Sequence, residues 1–147
     1  MIKTMAAVLG ALPLTSLAAS AGPESAPGEG SRKLAVGQTV RFDKGGIRVK
    51  FLKVGNDSRC PMNARCISAG DAEVILEVKV GSKKPELVTL HTHDEPGYAV
   101  FSAIPDGMIG IPKSYTVSIR ELTPQPIAGR KTRQRDYRLT VGFSTAV

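Results

Sequence analysis

The two histidines of the chain lie two residues apart, in the segment His91-Thr92-His93-Asp94-Glu95. Side chains at positions i and i+2 of a strand point to the same side, so both imidazoles could reach one metal ion, with Asp94, Glu95 or the thioether of Met108 as a third ligand. Imidazole and carboxylate ligands suit Zn, Cu or Ni. The competing interpretation is two polar residues beside a turn, with no cofactor.

A strongly basic segment, residues 130–138, follows two prolines near the end of the chain. Concentrated positive charge attracts anions, so the expected partner is an anionic envelope component or an acidic protein. Nucleic acid is not expected, because no base-stacking aromatic residues interleave with the arginines. The segment is otherwise a solvated loop that keeps the protein soluble. Its candidate binding residues are Arg130, Lys131, Arg133 and Arg135.

The only two cysteines, Cys60 and Cys66, lie in residues 55–71, a segment that interrupts an apolar alternation. In an exported protein they should form a disulfide, which would hold this segment in one shape and contribute about 2 kcal/mol. Their spacing is not Cys-x-x-Cys, so thiol redox catalysis is not expected. The segment is either a stapled crossover that closes one end of the fold or a rigid recognition loop. The contact residues of such a recognition loop would be Arg59, Met62, Asn63 and Arg65.

Recognisable catalytic motifs are missing from the sequence. A serine nucleophile would need one of the histidines as its base, and there is no Gly-x-Ser-x-Gly segment. No glycine-rich phosphate loop opens a helix. A pair of carboxylates, such as Asp94 with Asp106, stays open because spatial pairing is invisible in a sequence. We therefore expect a non-enzymatic protein.

Export is predicted by residues 1–21, which carry one charge at Lys3, then an uncharged apolar stretch, then Ala19-Ser20-Ala21. This is the pattern of a signal peptide cleaved after Ala21, and the apolar stretch is too short for a membrane anchor. The mature protein is expected in the periplasm or outside the cell, without a transmembrane anchor. Removing Lys3 from a chain of net charge +7 leaves +6.

The remaining chain reads as one all-β domain. Residues 22–33 are polar, with two prolines, and are expected to be a flexible lead-in to a domain over residues 34–147. From Leu34 onward apolar residues recur at every second position, most clearly over residues 74–80. No window shows the period of a long helix. Seven or eight short strands between Gly/Pro turns indicate a single antiparallel β-sandwich, with residues 98–101 and 108–111 as the weaker strand candidates.

The cysteine segment also carries a resemblance. It reads Asp57-Ser58-Arg59-Cys60-Pro61, four residues, Cys66, two residues, then Ala-Gly ahead of a strand. This resembles a largely uncharacterised family of small exported bacterial proteins that share the D-S-R-C-P-x4-C-x-x-A-G motif over about residues 34–80. The resemblance implies secretion, a disulfide and a β-fold, and it implies no activity. Many members of that family carry a Trp two residues after the second cysteine, where this chain has Ser68.

Overall fold

Eight strands form two four-stranded antiparallel sheets that pack together as a β-sandwich. The structure is a computed structural model, and it describes residues 29–104 and 109–146. One sheet has the strand order β1-β8-β7-β6 and the other the order β2-β3-β4-β5. The prediction of a single all-β sandwich with seven or eight strands is confirmed. The strands are β1 (Glu29–Ala35), β2 (Thr39–Phe42), β3 (Ile47–Asp57), β4 (Ala72–Val80), β5 (Glu86–His91), β6 (Tyr98–Ala103), β7 (Lys113–Thr123) and β8 (Arg138–Ala146).

The clearest sequence alternation forms the clearest strand. Along β4 every second residue is buried, and the residues between them are only partly exposed. Its partners β3 and β5 present their own apolar sides to the same layer, so one face of this sheet becomes the core and the other faces solvent. The core between the two sheets contains aromatic as well as aliphatic side chains. The rings of Phe42 and Phe143 stack across it with centroids 4.6 Å apart.

The flexible lead-in predicted for residues 22–33 is wrong over its last five residues. Residues 29–33 belong to β1, which pairs with β8 in a regular antiparallel register. Leu34 is the only fully buried side chain of β1. The composition argument weighed only side-chain burial, whereas this strand is held by backbone hydrogen bonds along the edge of β8. The predicted signal peptide and residues 22–28 lie outside the described residues.

One of the two weaker strand candidates is confirmed and the other is not. Residues 98–101 lie within β6. Residues 109–111 form no strand, and Met108 lies outside the described residues. The described helical structure consists of two single 3-10 turns, Asp43–Gly45 and Gln134–Asp136. Within residues 29–104 and 109–146 no helix has the length and apolarity to cross a bilayer.

The antiparallel topology brings the three connections that contain the candidate residues to the same end of the sandwich. They are the disulfide loop (residues 58–71, between β3 and β4), the histidine loop (residues 92–97, between β5 and β6) and the basic loop (residues 124–137, between β7 and β8). We call this the loop end. Cys60 and Cys66 form the predicted disulfide there, with Cα atoms 5.9 Å apart. All the segments that the sequence marks as candidates therefore lie at one end.

Candidate functional site

Arg59 is the anchor of the loop end rather than a surface contact. Its side chain is 3% exposed, and its guanidinium bonds both carboxylate oxygens of Asp57 at 2.8 Å. It also donates to the carbonyl oxygens of Leu122 and Pro124, at 2.7 and 2.9 Å. The Tyr137 hydroxyl donates to the same carboxylate at 2.8 Å. The prediction of Arg59 as a binding contact is wrong, because these acceptors take its charged group out of solvent.

The carboxyl group of Asp57 is held ionised by these partners. Burial alone would raise its pKa, but the hydrogen bonds from Arg59 and Tyr137 outweigh burial and hold the pKa below its usual value. Burial and the bond to Asp57 raise the pKa of the Tyr137 hydroxyl, which therefore stays protonated as a donor. The three side chains form a closed network that joins the end of β3 to the start of the disulfide loop and to both ends of the basic loop.

Other residues of the D-S-R-C-P-x4-C-x-x-A-G segment have local structural roles. The Ser58 amide and hydroxyl both donate to the Asp71 carbonyl oxygen, and the Cys60 amide donates to the Ala69 carbonyl oxygen. Gly70 has φ +67°, and a Cβ atom there would overlap the Ser58 carbonyl oxygen. Glycine is required because the two ends of the loop cross at that point. The motif thus closes the loop end, as the stapled-crossover interpretation expected.

The tip of the disulfide loop is bonded to the basic loop. The Met62 amide donates to the Pro126 carbonyl oxygen at 2.9 Å, and the Asn63 side-chain oxygen accepts from the Ala128 amide at 2.8 Å. Asn63, predicted as a ligand contact, therefore uses its acceptor to fix the neighbouring loop. The side chain of Met62 is 70% exposed, and Arg65 is exposed as well. These two predicted contacts stay accessible to a partner.

An open cleft of about 480 Å³ lies between the end of β3 and the basic loop. The Gln134 side chain closes one side of it by bonding both the amide and the carbonyl oxygen of Val54, at 3.0 and 2.8 Å. Those two bonds imitate a neighbouring strand on the part of β3 that β2 does not cover. The cleft is lined by Asn56, Asp57, Arg130, Lys131, Thr132 and Tyr137, among others.

The four predicted basic contacts differ in their availability. Arg133 is paired with Asp136, with Nε 2.8 Å from the carboxylate. Arg135 is exposed beside the same carboxylate and contributes to the lowering of its pKa, after Arg133. Arg130 and Lys131 line the cleft, and within the described part of the chain neither side chain has an ion-pair partner. Arg59 compensates Asp57, and the Glu73 carboxylate accepts from the Asn56 amide, so Arg130 and Lys131 are the two lining charges left without an ion-pair partner among the described residues.

Asp71 organises the histidine loop. Its carboxylate accepts from the Thr92 hydroxyl and from the backbone amides of His93 and Asp94, and it lies 2.6 Å from Nδ1 of His91. Burial would raise the pKa of this carboxyl, but the bonds together lower it far below its usual value. The bond to Asp71 raises the pKa of His91 above 6.5. One imidazole nitrogen is thus committed to a carboxylate.

The paired-histidine geometry predicted from the sequence is wrong. His91 is the last residue of β5, whereas His93 lies beyond the strand in a bend, with its ring exposed. The rule that residues i and i+2 share a face therefore does not apply to the pair. Asp94 contributes its backbone amide to Asp71. Within the described residues no three His, Cys, Asp or Glu side chains gather as a metal-binding group.

Comparison with known proteins adds no relative. No protein-family model, curated protein or solved structure matches the chain. The function must therefore be argued from the geometry of the loop end.

Sequence reasoning missed the residues that complete the cleft opposite Arg130 and Lys131. Asn56 is at the end of β3, and Tyr137 directly precedes β8. Thr132 lies inside the predicted basic segment but was not singled out. Positions 56 and 132 are far apart in the sequence, and no sequence pattern relates them. Only the packing of the two sheets brings the end of β3 next to the basic loop. For Arg59 a signal did exist: an Asp-x-Arg pair in extended chain places both side chains on one side.

Proposed function

We propose that this protein is an exported, non-enzymatic binding module that takes an anionic group in the cleft beside the basic loop. The partner is an anionic component of the cell envelope or an acidic protein. The observation that carries the proposal is the pair of uncompensated charges on Arg130 and Lys131 in a cleft of about 480 Å³. Export rests on the leader sequence and on the resemblance to exported bacterial proteins.

The cleft suits binding because its walls are fixed before a ligand arrives. The basic loop is held by the carbonyl bonds of Arg59, by the two bonds of Gln134 and by the contacts of Met62 and Asn63. A ligand therefore does not have to order the loop, which reduces the entropic cost of association. Arginine and lysine donors at a concave site attract phosphate, sulfate or carboxylate groups.

The proposal is limited to binding because the carboxylate in the cleft is already engaged. Asp57 accepts bonds from Arg59 and Tyr137, and its pKa is lowered, so it is a poor proton acceptor near neutral pH. The Tyr137 hydroxyl has a raised pKa and donates to Asp57. Neither group is placed to exchange protons with a bound ligand.

The test is a titration of the mature protein, residues 22–147, with inorganic pyrophosphate, followed by NMR of the backbone amides. We expect shifts concentrated at residues 55–57 and 129–132, with an affinity that falls as salt is added. The variant Arg130→Glu/Lys131→Glu should lose binding. The control Arg32→Glu/Lys33→Glu changes the net charge equally on exposed positions of β1 and should retain it. Salt-insensitive binding, or equal loss in both variants, would contradict the proposal.

A second candidate function is metal binding through His91. One observation favours it: the carboxylate of Asp71 lies 2.6 Å from Nδ1, which is how a histidine ligand is commonly oriented towards a metal on its other nitrogen. Other ligands would have to come from His93, Asp94 or a partner. Metal analysis of protein purified without a His-tag or chelators tests this candidate. Stoichiometric Zn, Cu or Ni that disappears in His91→Ala/His93→Ala would support it, and a metal-free protein that takes up none would exclude it.

A further inference from the structure

The solvent-exposed face of the β2-β3-β4-β5 sheet carries a row of three positive charges on adjacent strands. Arg41 of β2 is directly opposite Arg48 of β3, and Arg48 is directly opposite Lys79 of β4. Adjacent strands are about 4.8 Å apart, so the row spans about 10 Å. Within the described residues none of the three makes an ion pair or a side-chain hydrogen bond. We call these residues the cation row.

This row of like charges destabilises the fold. Like charges directly opposite each other on neighbouring strands are destabilising, and here Arg48 has a like charge on both sides. Exchanging one of the three for an acidic residue would give a favourable cross-strand pair. An external anion bound at the row would offset this repulsion. A shallow depression of about 340 Å³ lies at the row, and it is lined by Thr39, Arg48, Lys50, Glu77, Lys79 and Pro85.

The cation row is connected to the cleft along β3. Lys50 and Lys53 follow Arg48 on the outer side of this strand, and the strand ends in the residues from Gly55 onward that line the cleft. At about 3.3 Å per residue, Arg48 and Gly55 are about 23 Å apart. Positive side chains therefore mark a path from the depression near one end of the sandwich to the basic loop at the other.

The path is narrow because acidic residues border it. Glu77 of β4 is opposite Lys50, and the carboxylate of Glu73 of β4 covers Gly55 and accepts from the Asn56 amide, so the path passes this carboxylate where it reaches the cleft. Of the large apolar side chains that are exposed in the described residues, only Leu87 belongs to this sheet, at its edge. The geometry thus favours a thread over a membrane.

We propose that the ligand of this protein is an extended linear polyanion that lies along β3 from the basic cleft to the cation row. This inference rests on the proposed function for its cleft half and adds a second contact site, which sets a minimum length for the ligand. A ligand that reaches only the cleft leaves Arg48 unused. A chain of about 23 Å or more engages both sites, so its affinity should exceed that of a short anion of the same chemistry.

The experiment compares inorganic pyrophosphate with long-chain inorganic polyphosphate, using the mature protein and the variant Arg48→Glu. We expect Arg48→Glu to leave pyrophosphate binding unchanged and to weaken long-chain binding about tenfold, with a salt-dependence slope that falls by about 1. The control Arg32→Glu makes the same charge change on β1. Arg48→Glu should also unfold at a higher temperature than the parent, because it removes the cross-strand repulsion, so the loss of binding is not a folding defect.

Each result has a separate meaning for the two proposals. If Arg48→Glu and Arg32→Glu bind the long chain equally well, the path is wrong, whereas the cleft proposal stands provided that pyrophosphate still depends on Arg130 and Lys131. If pyrophosphate binding never depends on Arg130 and Lys131, the cleft proposal fails. A length effect that still depends on Arg48 would then support the cation row as a polyanion site. A third result would contradict the polyanion proposal and indicate a membrane surface as the ligand. In that case the protein binds vesicles containing phosphatidylglycerol in a way that depends on Arg48, and its affinity for polyphosphate does not depend on chain length.

Discussion

Replacing Arg59 by Met should strongly destabilise the protein. The substitution keeps a long side chain but leaves the Asp57 carboxylate, itself 11% exposed, with only the Tyr137 hydroxyl as a side-chain partner. The carbonyl oxygens of Leu122 and Pro124 lose a charged donor at the same time. Breaking a buried ion pair by removing one member costs about 3–5 kcal/mol, because the other charge stays buried and uncompensated. For a domain of this size that corresponds to a fall in Tm on the order of 10–20 °C.

The assay is urea and thermal unfolding followed by circular dichroism, and a second substitution isolates the cause. Adding Asp57→Asn to Arg59→Met removes the stranded charge, so the double variant should be more stable than Arg59→Met alone. The loss of unfolding free energy caused by Arg59→Met should also be smaller at acid pH. In the parent, the bonds from Arg59 and Tyr137 outweigh burial and lower the pKa of Asp57, so the stability they contribute is lost as the pH falls through the folded-state pKa, and the difference between parent and variant narrows.

Exposed Arg133, which pairs with Asp136 on the same loop, provides the matched control. Arg133→Met removes an arginine from an ion pair in solvent, and it should change the stability little. The reasoning would be refuted if Arg59→Met unfolded at the same urea concentration as this control, or if the double variant were less stable than the single one. Either result would mean that the buried guanidinium does not compensate the Asp57 carboxylate.

Three further predictions concern the loop end. Gly70→Ala should lower the free energy of unfolding, measured in urea, by at least about 2 kcal/mol. The control Gly129→Ala, also at a positive φ but with nothing near its Cβ, should lower it by only about 1–2 kcal/mol. Equal losses would exclude an overlap between a Cβ at position 70 and the Ser58 carbonyl oxygen. Cys60→Ser/Cys66→Ser should cost about 2 kcal/mol, and reductant should reproduce that loss in the parent but have no effect on the variant. Because the bond to Asp71 raises the pKa of His91 in the folded state, the stability that this pair contributes is complete below pH 6.5 and is lost as the pH rises through the folded-state pKa. The free energy of unfolding of the parent, measured between pH 6 and 9, should therefore fall in a step that His91→Gln lacks.

The local pattern was sufficient to predict most of the strands and their inner faces. The alternation over residues 74–80 became the alternating burial of β4, because the side-chain period of a strand depends on the backbone alone. The strand predicted over residues 108–111 does not form over residues 109–111, because two isoleucines around Gly110, directly before Pro112, are too short a pattern. The β1 strand was missed for the opposite reason: its pairing with β8 uses backbone groups that composition does not reveal.

The candidate site could be predicted only in pieces. The sequence marked the cysteine, histidine and basic segments and their charges, but it did not show that all three meet at one end, which follows from the strand directions. It also ranked Arg59 with the exposed arginines. A side chain is buried or exposed according to the acceptors around it, and the two carbonyl oxygens that hold Arg59 come from positions 122 and 124.

What the sequence by itself determined was the all-β class, the disulfide and the positions of the charged segments, because each follows from neighbouring residues or from the compartment that the leader predicts. What only the tertiary structure decided was the role of each charge. Arg59 became an internal counterion, Arg130 and Lys131 stayed uncompensated, and Arg41 and Arg48 came to face each other across two strands. The free energy of a charge depends on its distance from other charges and from water, and pairing between distant strands sets those distances.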